Sequence, residues 1–116
     1  MRTFETGATR DDDAAKPDYE GFLSPLALTR FGQYMTKHRV QADGKLRDSD
    51  NWQKGIPKAQ YIKSLLRHVM DVWLHHRGHR GTVEGLQDAL CGVIFNAQGY
   101  LHELLIQQQN NKNQSY

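Results

Sequence analysis

The sequence predicts an all-α protein, a small helical bundle of three main helices with a long ordered loop between the first and the second. Three observations lead there. Three segments repeat apolar residues at helical spacing, each with start or stop signals at its ends. No segment shows a convincing strand pattern. A chain of 116 residues has material for one modest core. Three helices alone make a thin monomer, so self-association into a homo-oligomer is expected.

Residues 1–23 carry Asp, Gly, Thr and Lys with little periodicity and read as an extended N-terminal arm, which Phe4, Tyr19, Phe22 and Leu23 can anchor. Ser24-Pro25 is a helix start, because the hydroxyl caps free N–H groups and Pro suits the first turn. Ala27, Leu28, Phe31, Tyr34, Met35 and His38 then give a helix over about 25–39 one buried face. From Val40 to Lys58 the turn residues Asp43-Gly44, Asp48-Ser49-Asp50-Asn51, Gly55 and Pro57 predict the long loop, with Trp52 tying it down.

The second helix is expected over about 58–76, on the stripe Tyr61, Ile62, Leu65, Leu66, Val69, Val72 and Trp73. Arg77-Gly78-His79-Arg80-Gly81 ends it. Thr82 is the N-cap of a third helix over about 83–109, whose stripe runs from Leu86 through Leu90, Ile94 and Leu101 to Leu105. The Gln/Asn-rich run 107–116 is expected to fray, which leaves 24–106 as the helical catalytic or binding domain.

An apolar fraction of 38% with 24% charged residues is a globular composition. A net charge of +2 does not call for nucleic acid as a partner, although it permits local binding of an anion. The lone Cys91 cannot form an intramolecular disulfide, the acidic N-terminus lacks the apolar centre of a signal peptide, and no stretch approaches the roughly 20 apolar residues of a membrane span. These features predict a reducing cytoplasm and no membrane.

Three groups of residues can carry chemistry. His68, Asp71 and His75 share one stripe of the second helix, and Glu84, Asp88, Cys91 and Phe95 share one of the third. An antiparallel pairing through the short linker lets Asp71 and His75 face Glu84 and Asp88, where carboxylates can hold divalent cations. On position alone, solvated surface acids are the commoner explanation. His75, Arg77 and the Gly-rich linker sit beside a helix N-terminus, a setting for phosphate or simply a basic turn. In the loop, Asn51 can read a base edge and Trp52 can stack, with Arg39, Arg47 and Lys54 near for phosphates; equally, Trp52 can plug the core. Arg67, on an apolar helix, asks for an anionic partner.

Through Lys16-x-Asp18, Leu23-Ser24-Pro25, Asn51-Trp52-x-x-Gly55, Tyr61 with Leu66-Arg67-His68 and Trp73, then Glu84-x-Leu86-x-Asp88 and Phe95-Asn96-Ala97, the chain resembles the phage dATP/dGTP diphosphohydrolase N-terminal domain family. That family is related in activity to the all-helical MazG-like pyrophosphohydrolases. The resemblance covers roughly residues 16–103. It implies hydrolysis of dGTP or dATP to the monophosphate and pyrophosphate, with Mg²⁺ or Mn²⁺, in the cytoplasm of an infected bacterial host. Taken with the helix positions above, the expectation is a metal set of Asp71, Glu84 and Asp88, with His68 among the catalytic groups. Lys16, Asn51, Trp52, Lys54, Arg67, His75 and Arg77 would contact the nucleotide. The chain departs from the MazG-like pattern of two or more Glu on one helix and Glu-x-x-Asp on the next: it offers Asp71 and then Glu84-x-x-x-Asp88. The competing expectation is a non-catalytic phage interaction module that binds a host or phage protein through the same helices.

Overall fold

The computed structural model describes residues 2–12 and 14–113. Its first elements are two short strands that the sequence pattern does not show. Strands β1 (Arg2–Thr3) and β2 (Thr9–Arg10) pair antiparallel, with Arg2 opposite Arg10. Gly7, at φ +85°, makes the turn possible, because only glycine takes that backbone region without strain. A single helical turn, α1 (Tyr19–Phe22), follows, capped by Asp18 Oδ1, which accepts from Gly21 N at 3.0 Å. The anchoring expected of the arm's apolar residues is absent: Tyr19 and Phe22 are 66% and 74% exposed, and Phe4 and Leu23 are exposed too.

Helix α2 (Pro25–Lys37) begins as the sequence predicts, with Ser24 Oγ accepting from Ala27 N at 3.0 Å and Pro25 in the first turn. It stops two residues before the expected end because the chain turns back on itself. Arg47 N donates to Arg39 O at 2.9 Å, Val40 bridges Leu46, and Gln41 N donates to Lys45 O at 2.8 Å. The tip is Asp43-Gly44, with Gly44 at φ +82°. The long loop therefore contains a small hairpin, then a 3₁₀ turn over Asn51–Lys54 that positions Trp52.

Helices α3 (Lys58–His76) and α4 (Val83–Asn113) form an antiparallel hairpin. A Schellman-type cap closes α3: His79 N donates to Leu74 O at 2.8 Å and Gly78 N to His75 O at 3.0 Å, with Gly78 at φ +80°. Thr82 Oγ1 caps α4 by accepting from Gly85 N at 3.0 Å, as expected. The Gln/Asn-rich run continues the helix to Asn113 instead of fraying at 107; Lys58 Nζ donates to Gln107 Oε1 at 2.8 Å. Residues 114–116 of the expected tail lie outside the described residues.

The seam between the two helices repeats every seven residues. Tyr61, His68 and His75 on α3 lie against Gly99, Gly92 and Gly85 on α4. A Cβ at Gly92 would fall 2.5 Å from His68 Nδ1, one at Gly85 2.9 Å from His75 Nε2, and one at Gly99 inside the Tyr61 ring. Glycine thus cuts notches into α4 that receive the rings of α3. The core is centred on this seam and its α2 flank: Tyr61 is 1% exposed, and Tyr34, Ala89, Cys91 and Asn96 are also buried. Asn96 Nδ2 donates to Gly92 O at 2.7 Å.

The chain stays open around that core. Its radius of gyration is 19.4 Å, where a compact domain of this length has about 13 Å. Among the described residues, no helix is long and apolar enough to cross a membrane.

Candidate functional site

The hairpin at the end of α2 and the 3₁₀ turn after it enclose a cleft of about 240 Å³ against α4. Met35, Trp52, Ile56 and Phe95 make its walls apolar, and His38, Arg39, Arg47 and Asn51 bring the polar groups. The hairpin register causes the pairing of cations: Arg39 and Arg47 stand opposite one another, and Arg39 Nε donates to Arg47 O at 2.9 Å. This bond uses the Nε–H of the Arg39 guanidinium.

Trp52 is half-buried and held by edge contacts, with its ring centroid 6.3 Å from that of Phe95 and 4.9 Å from that of His102. Phe95 in turn meets Tyr61 at 6.0 Å, so the cleft wall is continuous with the core. Burial, with Lys37 adding to it, holds the His38 imidazole below its ordinary pKa range. His38 is therefore neutral at pH 7 and can accept as well as donate. A small apolar cleft with two guanidiniums at its edge suits one flat ring system attached to an anion.

Of the residues that the sequence singles out, Asn51 and Trp52 line this cleft, whereas Lys54 is exposed at the end of its turn. Arg39 and Arg47, expected near phosphates, line the cleft as well. Lys16 lies elsewhere, in a shallow depression with Arg2, Arg10 and Asp11. Arg67 is exposed and donates to Ser64 Oγ at 2.9 Å, so it does not face the buried surroundings that would demand an anionic partner. Arg77 is exposed at the α3 cap.

The expected facing of Asp71 and His75 with Glu84 and Asp88 is replaced by other partners. His68 and His75 fill glycine notches, and the His75 Nδ1 position lies 2.8 Å from Asp71 O. Asp71 Oδ1 is 3.5 Å from Arg80 Nη2. Asp88 joins α4 to α2: Oδ1 accepts from Arg30 Nη2 at 2.7 Å and Oδ2 from Lys37 Nζ at 2.9 Å. Those bonds hold the Asp88 carboxyl below its usual range. Glu84 is exposed in the first turn of α4, in a depression that Arg30 and Lys37 also line.

Among the described residues, no three His, Cys, Asp or Glu side chains are grouped to hold a metal ion. The Asp71, Glu84 and Asp88 set is thus not assembled within one chain, and Asp88 has both oxygens engaged. The neighbouring Cys91 thiol is buried, and burial raises its pKa, which makes it inert packing.

Comparison with known proteins gave no match to any family model, curated protein or solved structure.

Proposed function

We propose that the cleft binds the base of a purine deoxynucleoside triphosphate, and that the protein hydrolyses this nucleotide to its monophosphate and pyrophosphate. The observation that carries the reading is the convergence of Trp52, Phe95 and Asn51 with the Arg39–Arg47 pair in one cleft. The indole supplies a stacking surface and the Asn51 amide supplies a donor and an acceptor for a base edge. At about 240 Å³ the cleft falls below the range of roughly 300–1,000 Å³ typical of whole-ligand sites. It suits a base, with the phosphates running outward to the guanidiniums.

Support for the chemistry comes from the resemblance drawn through the Asn51-Trp52-x-x-Gly55 loop and the Arg67-His68 helix. It brings with it a requirement for Mg²⁺ or Mn²⁺. The three carboxylates do not fit a single-chain metal site, so no catalytic step is assigned to the ion. Glu84, which has no ion pair among the described residues, is the carboxylate best placed to be tested for a role. Asp88→Asn is a poor probe, since it also removes the partner of Arg30 and Lys37.

The second reading, a non-catalytic interaction module, is favoured by the engagement of both Asp88 oxygens. Pyrophosphate release from each of the four dNTPs, with and without Mg²⁺ or Mn²⁺, separates the two. The enzyme reading expects metal-dependent release from dGTP or dATP. Trp52→Ala should raise KM about tenfold, consistent with roughly 1–3 kcal/mol for stacking one base, and Glu84→Gln should lower kcat. No release from any nucleotide, with no thermal stabilisation by dNTP, would leave the interaction module standing.

A further inference from the structure

Besides its aromatic walls and its two guanidiniums, the cleft has an acid in its lining. Asp48 stands there beside Ser49 and Asn51. One turn carries all three: Asn51 N donates to Asp48 O at 3.0 Å, and Asn51 then opens the 3₁₀ turn that holds Trp52. Asp suits the first position of such a turn. Among the described residues the Asp48 carboxylate makes no hydrogen bond, and no ion pair joins it to Arg39 or Arg47 in the same cleft.

A carboxylate is a poor component for a site that only collects phosphate. It weakens the positive potential of the guanidiniums and repels the anion itself. What an ionised carboxylate does well is accept. Its two oxygens lie side by side and match a pair of parallel N–H donors. The ligand that uses the whole lining therefore combines a flat ring, two adjacent N–H donors on one edge, and an anion elsewhere. Among the four DNA bases, guanine alone has that edge, with N1–H and the 2-amino group adjacent and the acceptor O6 next to them. Adenine and cytosine each offer one amino group beside a ring nitrogen that accepts, and thymine offers one N–H between two carbonyls. Against a carboxylate those acceptors set lone pair against lone pair, which rejects them.

We propose that Asp48 makes the cleft selective for guanine, its carboxylate accepting from N1–H and the 2-amino group while the Asn51 amide donates to O6. The Trp52 indole stacks on the ring, and Arg39 and Arg47 are left for the phosphates. The inference rests on the nucleotide reading of this cleft and adds the choice of dGTP over dATP. No hydrolytic step enters it, so binding alone tests it. Asp48 is exposed, and a base that covers it removes water from the carboxylate, which offsets part of the bidentate gain.

Isothermal titration of the full chain with dGTP, dATP and dITP, with a chelator present so that nothing turns over, reads the preference. The hypoxanthine of dITP keeps N1–H and O6 and lacks the 2-amino group. dGTP should bind about tenfold tighter than dATP, within the range of a good bidentate pair, with dITP between them. Asp48→Asn keeps a residue that suits the turn and supplies an amide that pairs with the amino group and ring nitrogen of adenine. It should bring the ratio of dGTP to dATP affinity down to about one or below. The variant also removes a negative charge and strengthens binding of every nucleotide, so the ratio is the readout and not either affinity. Equal binding of dGTP and dATP by the wild type overturns the proposal, as does a guanine preference that Asp48→Asn leaves intact. Should the variant unfold, the wild-type ratio of dGTP to dITP decides, because equal binding of those two means that the 2-amino group meets no acceptor. Binding without preference for guanine removes this proposal and leaves the purine reading standing, whereas no binding of any of the three removes both.

Discussion

Two flanks of α4 are held by opposite kinds of physics. Against α3, the rings of Tyr61, His68 and His75 enter notches left by Gly99, Gly92 and Gly85, so the seam depends on shape. Against α2, Arg30 and Lys37 share the carboxylate of Asp88, so that flank depends on charge. A shape-determined seam tolerates salt but not one added methyl group. A charge-determined flank tolerates added volume but responds to ionic strength and pH. The cleft is framed by the residues that follow α2, so its geometry depends on the more adjustable of the two attachments.

The largest effect should come from breaking the notch at Gly99. Alanine in a helix is ordinarily favoured over glycine by about 1 kcal/mol. At Gly99 its Cβ would enter the ring of Tyr61, which is 1% exposed and has no free space to turn into. Overpacking costs typically 1–3 kcal/mol, so Gly99→Ala should be destabilising by about 1–2 kcal/mol despite the gain in propensity. Gly32 in α2 is the matched control, since a Cβ there meets nothing within 4 Å. Gly32→Ala should stabilise by up to about 1 kcal/mol, and urea denaturation of both variants reads the opposite signs. Stabilisation by both would mean that the seam is loose.

A smaller effect tests the other flank. Asp88→Asn removes two charge-assisted bonds and should cost about 1 kcal/mol, near the lower end for such bonds because Lys37 is more than half exposed. The sign with pH follows from the carboxyl being held below its ordinary value near 3.9. Its contribution is complete above that value and is lost as pH falls through the lower folded pKa. The gap between wild type and Asp88→Asn should therefore begin to close only as pH falls below about 4 and vanish below the folded pKa, and at neutral pH it should narrow in molar salt. A gap independent of both pH and salt would mean that Asp88 acts through shape.

The same contrast explains what the sequence reveals. The three main helices are legible because apolar periodicity and caps such as Ser24 and Thr82 are local signals. The notches are present in the sequence as two seven-residue series, but a helical glycine reads locally only as lost propensity. Its ring partner appears once the antiparallel register is known. His68, Asp71 and His75 do share a stripe, yet the two histidine rings meet glycines where the sequence suggested carboxylates. The Arg39–Arg47 pairing needs the hairpin, whose signal, Asp43-Gly44 between Val40 and Leu46, is in the sequence one turn dipeptide among several. Asn51 and Trp52 were legible as chemical types, and the cleft joining them to α4 depends on tertiary packing.

The smallest effect sharpens the seam itself. The Tyr61 hydroxyl is buried and has no hydrogen-bond partner among the described residues. Burial and the nearby Glu103 both raise its pKa, so the phenol stays protonated and its O–H is an unused donor. A buried hydroxyl without a partner costs about 1–3 kcal/mol in lost solvation. If the ring alone matters to the Gly99 notch, Tyr61→Phe keeps the packing, removes the stranded polar atom, and should leave stability unchanged or raise it by up to about 1 kcal/mol. A loss of that size would show instead that the hydroxyl bonds in solution, with Glu103 the nearest candidate acceptor, and Glu103→Gln should then lower stability by a comparable amount. In that case the seam would be secured partly by polar bonding, and its contrast with the α2 flank would weaken.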